Sequence, residues 1–175
     1  MEKQELERLL TVGSILRSDA KHVFAFVSEH REKLQTIDIT LGGGSMSPAI
    51  PQGSRIRIRL NYKGTYEPSQ VVAFLYQGRI MVHRIRYCGR RGKAKHYLVT
   101  QGDASVLPDA PVHIGSLLGP VIAFQKDEAW VPPGDLHRVS SLRNLLSFFW
   151  VRCISEMVEI NISAATLLSK CLRKF

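Results

Sequence analysis

The chain has 175 residues, of which 45% are hydrophobic and 22% charged, proportions typical of a folded globular protein and not of a disordered one. Its three cysteines lie far apart without CxxC spacing, which argues against a disulfide framework and a cysteine zinc site. The formal net charge of +9 is compatible with nucleic acid or anionic lipid as a partner.

The first predicted element is a helix at residues 3–34, where apolar residues recur near 3.6-residue spacing with charges between them. We expect its apolar face to pack on the protein's own core, with a membrane or a partner as the alternative. Residues 1–36 are too rich in charge for a transmembrane helix or a cleavable signal peptide. The sequence therefore predicts a cytoplasmic protein.

A β region follows, because the apolar residues change to period-two alternation. Six strands are predicted, at residues 37–41, 55–60, 71–76, 79–85, 96–100 and 117–124. Gly78 lies at the turn of a hairpin between the third and fourth of them. Short strands without intervening helices predict an antiparallel, strongly bent β core. The expected fold class is mainly β, with flanking N- and C-terminal helices that make it α+β overall.

The sequence Pro132-Pro133-Gly134 predicts a linker, followed by a second helical region from Leu142 to about Leu172. This region is apolar, but charges interrupt it, and no part of it is long enough to span a bilayer. It can pack on the N-terminal helix or lie in a membrane interface, and both alternatives stay open. The predicted domains are an N-terminal helical extension (1–36), a β domain (37–130), and a linker with a C-terminal helical extension (131–175).

Three residue types in the β region suit nucleophilic catalysis. Ser45 follows three glycines and precedes Met46-Ser47-Pro48, so we expect its hydroxyl on a rigid, exposed turn. His83 lies in an apolar strand, and Asp103 and Asp109 lie in loops. Each alone is more often structural, as a satisfied core histidine or a turn aspartate. Together they supply the nucleophile, base and orienting carboxylate of acyl transfer.

Four motifs occur in a fixed order between residues 40 and 124. They are Ser45-Met46-Ser47-Pro48 with the strand Gly53–Ile58, then Val82-His83-Arg84-Ile85, then Thr100–Ala104 with Asp109, and finally Gly119-Pro120-Val121. In this order they resemble the boxes of type I signal peptidases. A histidine in place of a lysine base resembles the endoplasmic-reticulum and archaeal branch. The resemblance implies the bent β fold of signal peptidase and LexA-like peptidases, described as a β barrel.

The resemblance also implies a role for each site residue. Ser45 is the expected nucleophile and its backbone N–H the oxyanion-hole donor, His83 the general base, Asp109 its orienting carboxylate, and Asp103 a supporting residue. Substrate contacts are expected at Gly43, Gly44, Met46 and Pro48, and no metal or cofactor is implied. Many relatives carry a side-chain hydroxyl two residues before the nucleophile, where this chain has Gly43, so slow turnover is expected.

The implied function is a serine endopeptidase that cleaves after small residues in a leader or signal-like peptide or preprotein. The first alternative is a weakly active or inactive peptide-binding module of the same fold. A LexA-like self-cleaving regulator is disfavoured, because it would carry lysine in place of His83, a DNA-binding domain in front and an Ala-Gly cleavage site.

A nucleic-acid binder is a further alternative, based on a basic cluster at Arg90, Arg91, Lys93 and Lys95. It is disfavoured because no aromatic residues interleave with these charges as a stacking platform would require. Peripheral membrane contact through the C-terminal helix is a separate expectation. The sequence makes no prediction of oligomeric state.

Overall fold

The segments with period-two alternation are strands in the computed structural model, which describes residues 17–134 and 141–173. Eight strands are described: β1 (Thr36–Thr40), β2 (Arg55–Arg59), β3 (Val71–Tyr76), β4 (Arg79–Cys88), β5 (Tyr97–Gln101), β6 (Val112–His113), β7 (Leu117–Lys126) and β8 (Ala129–Val131). The six predicted strands are confirmed. The sequence does not predict β6 and β8, because two or three residues are too few to show an alternation.

Three α-helices are described beside the sheet: α1 (Arg17–His30), α2 (Ser141–Ile160) and α3 (Ile162–Leu172). In α1, Val23 and Val27 are four residues apart and both are fully buried in the main core. The prediction that this helix packs on the protein's own core is therefore confirmed for its described part. The predicted helical residues before Arg17 lie outside the described residues.

All described strand pairs are antiparallel, in the order β1-β2-β7-β3-β4-β5-β6, with β8 paired to β7. The α+β prediction with an antiparallel sheet is confirmed. The β-barrel expectation is wrong, because β1 and β6 each have a neighbour on one side only and the sheet is open. Since β6 has only two residues, it offers little edge for closure.

The α2–α3 hairpin packs against β5. Its buried side chains, Ile154, Val158 and Ala165, form one apolar cluster with Val99 of β5 and with Ala94 in the short 3₁₀ helix before it. Burial of this cluster attaches the hairpin to the sheet. The sequence offered α1 or a membrane as its partner, whereas the buried contacts are with the sheet.

Candidate active site

The turn that carries Ser45 follows β1 and is held by backbone hydrogen bonds. The N–H of Ser47 donates to the carbonyl of Gly44 at 3.0 Å, and the N–H of Ile50 donates to that of Met46 at 2.9 Å. The carbonyl of Ser45 itself accepts from the N–H of Ala104 at 2.8 Å. The Ser45 residue stays partly exposed on this fixed backbone.

The structure brings Ser45, His83 and Asp109 together in one chain of hydrogen bonds. His83 lies on β4, with its Nε2 3.0 Å from Oγ of Ser45 and its Nδ1 2.6 Å from Oδ2 of Asp109. Because an ionised carboxylate only accepts, Nδ1 carries the hydrogen and Nε2 is left to accept the serine proton. This is the arrangement of an activated serine nucleophile.

Asp109 is buried, and three donors converge on its carboxylate. Besides His83, the hydroxyl of Thr100 donates to Oδ2 at 2.7 Å, and the guanidinium of Arg173 donates to Oδ1. Burial alone would raise the pKa of Asp109, but the hydrogen bond and charge of His83, the charge of Arg173 and the Thr100 hydroxyl hold it below its ordinary value. The carboxylate is therefore kept charged beside the imidazole.

Asp103 lies outside this hydrogen-bonded chain and pairs with Arg84, the residue after His83. The pair is bidentate, with Nε to Oδ1 at 2.9 Å and Nη2 to Oδ2 at 2.8 Å. Arg84 also donates to the backbone carbonyls of Ser69 at 2.8 Å and Gly134 at 2.9 Å. Asp103 thus ties the loop beside the site to β4 through the guanidinium of Arg84.

Gly102 lies next to both the proposed nucleophile Ser45 and the proposed base His83. A Cβ added here would lie 2.7 Å from the carbonyl oxygen of Ser45, 3.0 Å from its Cβ and 3.1 Å from Nε2 of His83. Real Cβ contacts are rarely so short, so any side chain at this position must displace the turn or the imidazole. Gly102 is therefore required for the close approach of these two residues.

Gly102→Ala is expected to lower the rate of Ser45 acylation about 10²-fold. The added methyl group displaces Ser45 or His83, and a displacement of about 1 Å between reacting groups lowers a rate by about this factor. The rate is measured with a serine-reactive acylating probe. Gly42→Ala is the matched control, since a Cβ there meets no atom within 4 Å. Equal rates for the two variants would contradict the role given to Gly102.

The predicted oxyanion donor is free to act. Among the described residues, the backbone N–H of Ser45 has no hydrogen-bond partner. Gly43 lies two residues earlier and is exposed, and a Cβ added to it meets no atom within 4 Å. A side chain therefore fits at position 43, where glycine supplies no side-chain donor.

Gly43→Ser is expected to raise the acylation rate by about 10²-fold, because a second oxyanion donor is worth roughly 10²–10³ in rate. Single-turnover labelling with an acylating probe measures the change. Gly43→Ala adds the Cβ without a hydroxyl and is the control. An equal rate for both variants would show that no donor is missing at this position.

The residues predicted to contact substrate divide into two groups. Gly43 and Pro48 are exposed and Gly44 is partly exposed, so all three can meet a peptide. Met46 is 1% exposed and belongs to the main apolar core. Its side chain anchors the turn to this core, and its predicted contact with substrate has no support in this structure.

Sequence reasoning assigned no role to four residues that shape the site: Arg84, Thr100, Gly102 and Arg173. The first three lie inside the quoted motifs, and a charge within the apolar strand β4 is a signal that Arg84 has a buried partner. Arg173 had no such signal, since it lies 64 residues beyond Asp109 in a separate helical region.

No protein-family model matches the chain, and no curated protein shows significant similarity to it. None of the helices described within residues 17–134 and 141–173 has the length and apolar character needed to cross a membrane.

The basic cluster lies at the β4–β5 connection, where Arg90, Arg91, Lys93 and Lys95 are exposed. Nucleic-acid binding by this basic cluster stays the disfavoured alternative.

Proposed function

We propose that this protein is a serine endopeptidase of the signal peptidase type, cleaving a leader or signal-like peptide after small residues. The observation that carries the proposal is the continuous hydrogen-bonded chain from Ser45 through His83 to Asp109. The order of the four sequence motifs supports it independently. Ser45 lies on an accessible turn, as a peptide substrate requires.

In the proposed mechanism Nε2 of His83 takes the hydroxyl proton as Oγ of Ser45 forms a bond to the peptide carbonyl carbon. The Ser45 N–H stabilises the oxyanion. His83 then gives the proton to the leaving amine as the C–N bond breaks. Water, deprotonated by His83, hydrolyses the acyl ester and regenerates Ser45. Asp109 holds the imidazole in the required tautomer throughout.

The test is covalent labelling of the full chain with a serine-reactive phosphonate, followed by peptide mapping. We expect the label on Ser45 and its loss in Ser45→Ala. Ser47→Ala is the matched control, because Ser47 lies two residues away on the same turn and has no assigned role. Absence of label from Ser45 would contradict the enzyme and leave the peptide-binding module as the alternative of the same fold.

Peripheral membrane contact through the C-terminal helices stays part of the proposal. The first described turns of α2 expose four apolar side chains: Leu145, Leu146, Phe148 and Phe149. Aromatic and aliphatic residues together are typical of helices that lie in a lipid interface. This patch is where such contact would occur.

A further inference from the structure

The guanidinium of Arg173 contacts the carboxylate that orients the proposed base. It donates to Oδ1 of Asp109, while Oδ2 accepts from His83 and Thr100. The Asp109 side chain is 4% exposed and that of Arg173 is 38% exposed. A cation from the protein surface therefore reaches a buried carboxylate one hydrogen bond away from the imidazole.

The α2–α3 hairpin holds Arg173 in this position. The apolar cluster described above packs the hairpin on β5, and two polar contacts add to it. Ser147 exchanges hydrogen bonds with the side-chain amide of Gln101 at 2.9 and 3.1 Å. Glu159 accepts from the hydroxyl of Tyr87 at 2.6 Å. Arg173 follows directly after the last turn of α3. Docking of the hairpin therefore fixes the backbone position of Arg173.

We propose that Arg173 is a positioning residue that lowers the pH at which the His83–Asp109 pair takes up a proton and fixes the orientation of the Asp109 carboxylate. The inference rests on the proposed acyl-transfer function. A nearby cation disfavours proton binding to the pair, whichever of the two residues holds the proton. The direction of the effect is therefore the same whether the proton is assigned to His83 or to Asp109.

The other charged groups near the pair do not replace Arg173. On β4, Arg84 forms a bidentate ion pair with Asp103, and Arg86 also interacts with this pair. From β5, Thr100 contributes a neutral hydroxyl, and the nucleophile turn contributes the neutral Ser45. In the described part of the chain, Arg173 is therefore the cation in direct contact with Asp109.

The test compares Arg173→Ala, Arg173→Lys and the control Lys170→Ala. Lys170 is exposed on α3, so its replacement removes the same charge without touching Asp109. Two readouts are used: the pH dependence of Ser45 acylation, and NMR titration of the His83 imidazole in the Ser45→Ala background. The second readout does not require catalysis.

In Arg173→Ala we expect the acid limb of the rate profile and the NMR midpoint to move to higher pH, because the cation that disfavours proton uptake by the pair is gone. Arg173→Lys is expected to move them less, because it keeps the charge but loses the planar donor geometry. Lys170→Ala is expected to move neither. Unchanged midpoints in both Arg173 variants would overturn the inference.

The two proposals fail separately. An NMR shift in Arg173→Ala without any labelling of Ser45 in the unmodified chain would support the coupling and contradict the peptidase. Labelling of Ser45 with an unchanged pH profile would support the peptidase and contradict the role of Arg173. If Arg173→Ala unfolds, Arg173→Gln, which removes the charge but keeps a polar side chain of similar length, takes its place, and an unchanged midpoint in that variant would overturn the inference.

Discussion

Asp109→Asn is expected to slow acylation of Ser45 by about 10⁴-fold, the size of effect that a wrong histidine tautomer produces in a serine triad. The Asp109 carboxylate accepts from three donors, on His83, Thr100 and Arg173. An asparagine amide has one oxygen and one nitrogen, so it cannot accept from all three. If its NH₂ group faces His83, Nδ1 becomes the acceptor and Nε2 holds the hydrogen, which prevents proton uptake from Ser45.

The measurement is the second-order rate of labelling by a serine-reactive probe across pH. Thr100→Val is the graded control, because it removes one donor to Oδ2 and keeps the carboxylate. We expect a much smaller loss there. His83→Ala is expected to lose at least as much activity as Asp109→Asn, since it removes the base itself. A loss under tenfold for Asp109→Asn would show that the carboxylate does not control the imidazole.

The strands could be predicted because their signal is local. Alternation of isoleucine with arginine in Arg55–Arg59 requires one buried and one solvated face, and the burial pattern follows it residue by residue. The order of the strands in the sheet is not local, because it depends on which edges meet. The expectation of a barrel was wrong for this reason. Closure depends on the edge strands, and the edge strand β6 has only two residues, which the composition of the strands does not indicate.

In the site too, some residues could be predicted from nearby sequence, whereas the roles of others depend on how distant segments pack. Ser45, His83 and Asp109 could be proposed together because their motifs occur in a recognisable order. Gly102 and Thr100 lie in those motifs, but their roles depend on distances of a few ångströms that spacing does not give. Arg173 depends on the docking of a helical hairpin onto β5, and no feature of its neighbouring sequence indicates a buried acidic partner.

Asp103→Ala is expected to lower the free energy of unfolding by about 3–5 kcal/mol, because it leaves Arg84 buried without its counter-ion. The two side chains are 3–4% exposed, so water cannot replace the lost partner. Chemical denaturation monitored by circular dichroism measures the change. Acylation of Ser45 should also fall, since the loop that holds Asp103 contacts the Ser45 carbonyl through Ala104.

Asp38→Ala is the matched control for that loss. Asp38 accepts the same bidentate arrangement from Arg57, at 2.8 and 2.9 Å, but the two side chains are 16% and 35% exposed. Partial hydration limits the expected cost to about 1 kcal/mol or less. Equal losses in the two variants would mean that burial of the Arg84–Asp103 pair does not determine its contribution.

The double variant Arg84→Met with Asp103→Leu separates the charge from the packing. Replacing a buried ion pair with apolar side chains of similar volume is often neutral, whereas removing one partner is not. We expect the double variant to be more stable than Asp103→Ala, although the carbonyls of Ser69 and Gly134 lose their donor. A double variant that is less stable than the single one would show that the Arg84 contacts with these two carbonyls stabilise the fold by more than the unpaired charge destabilises it.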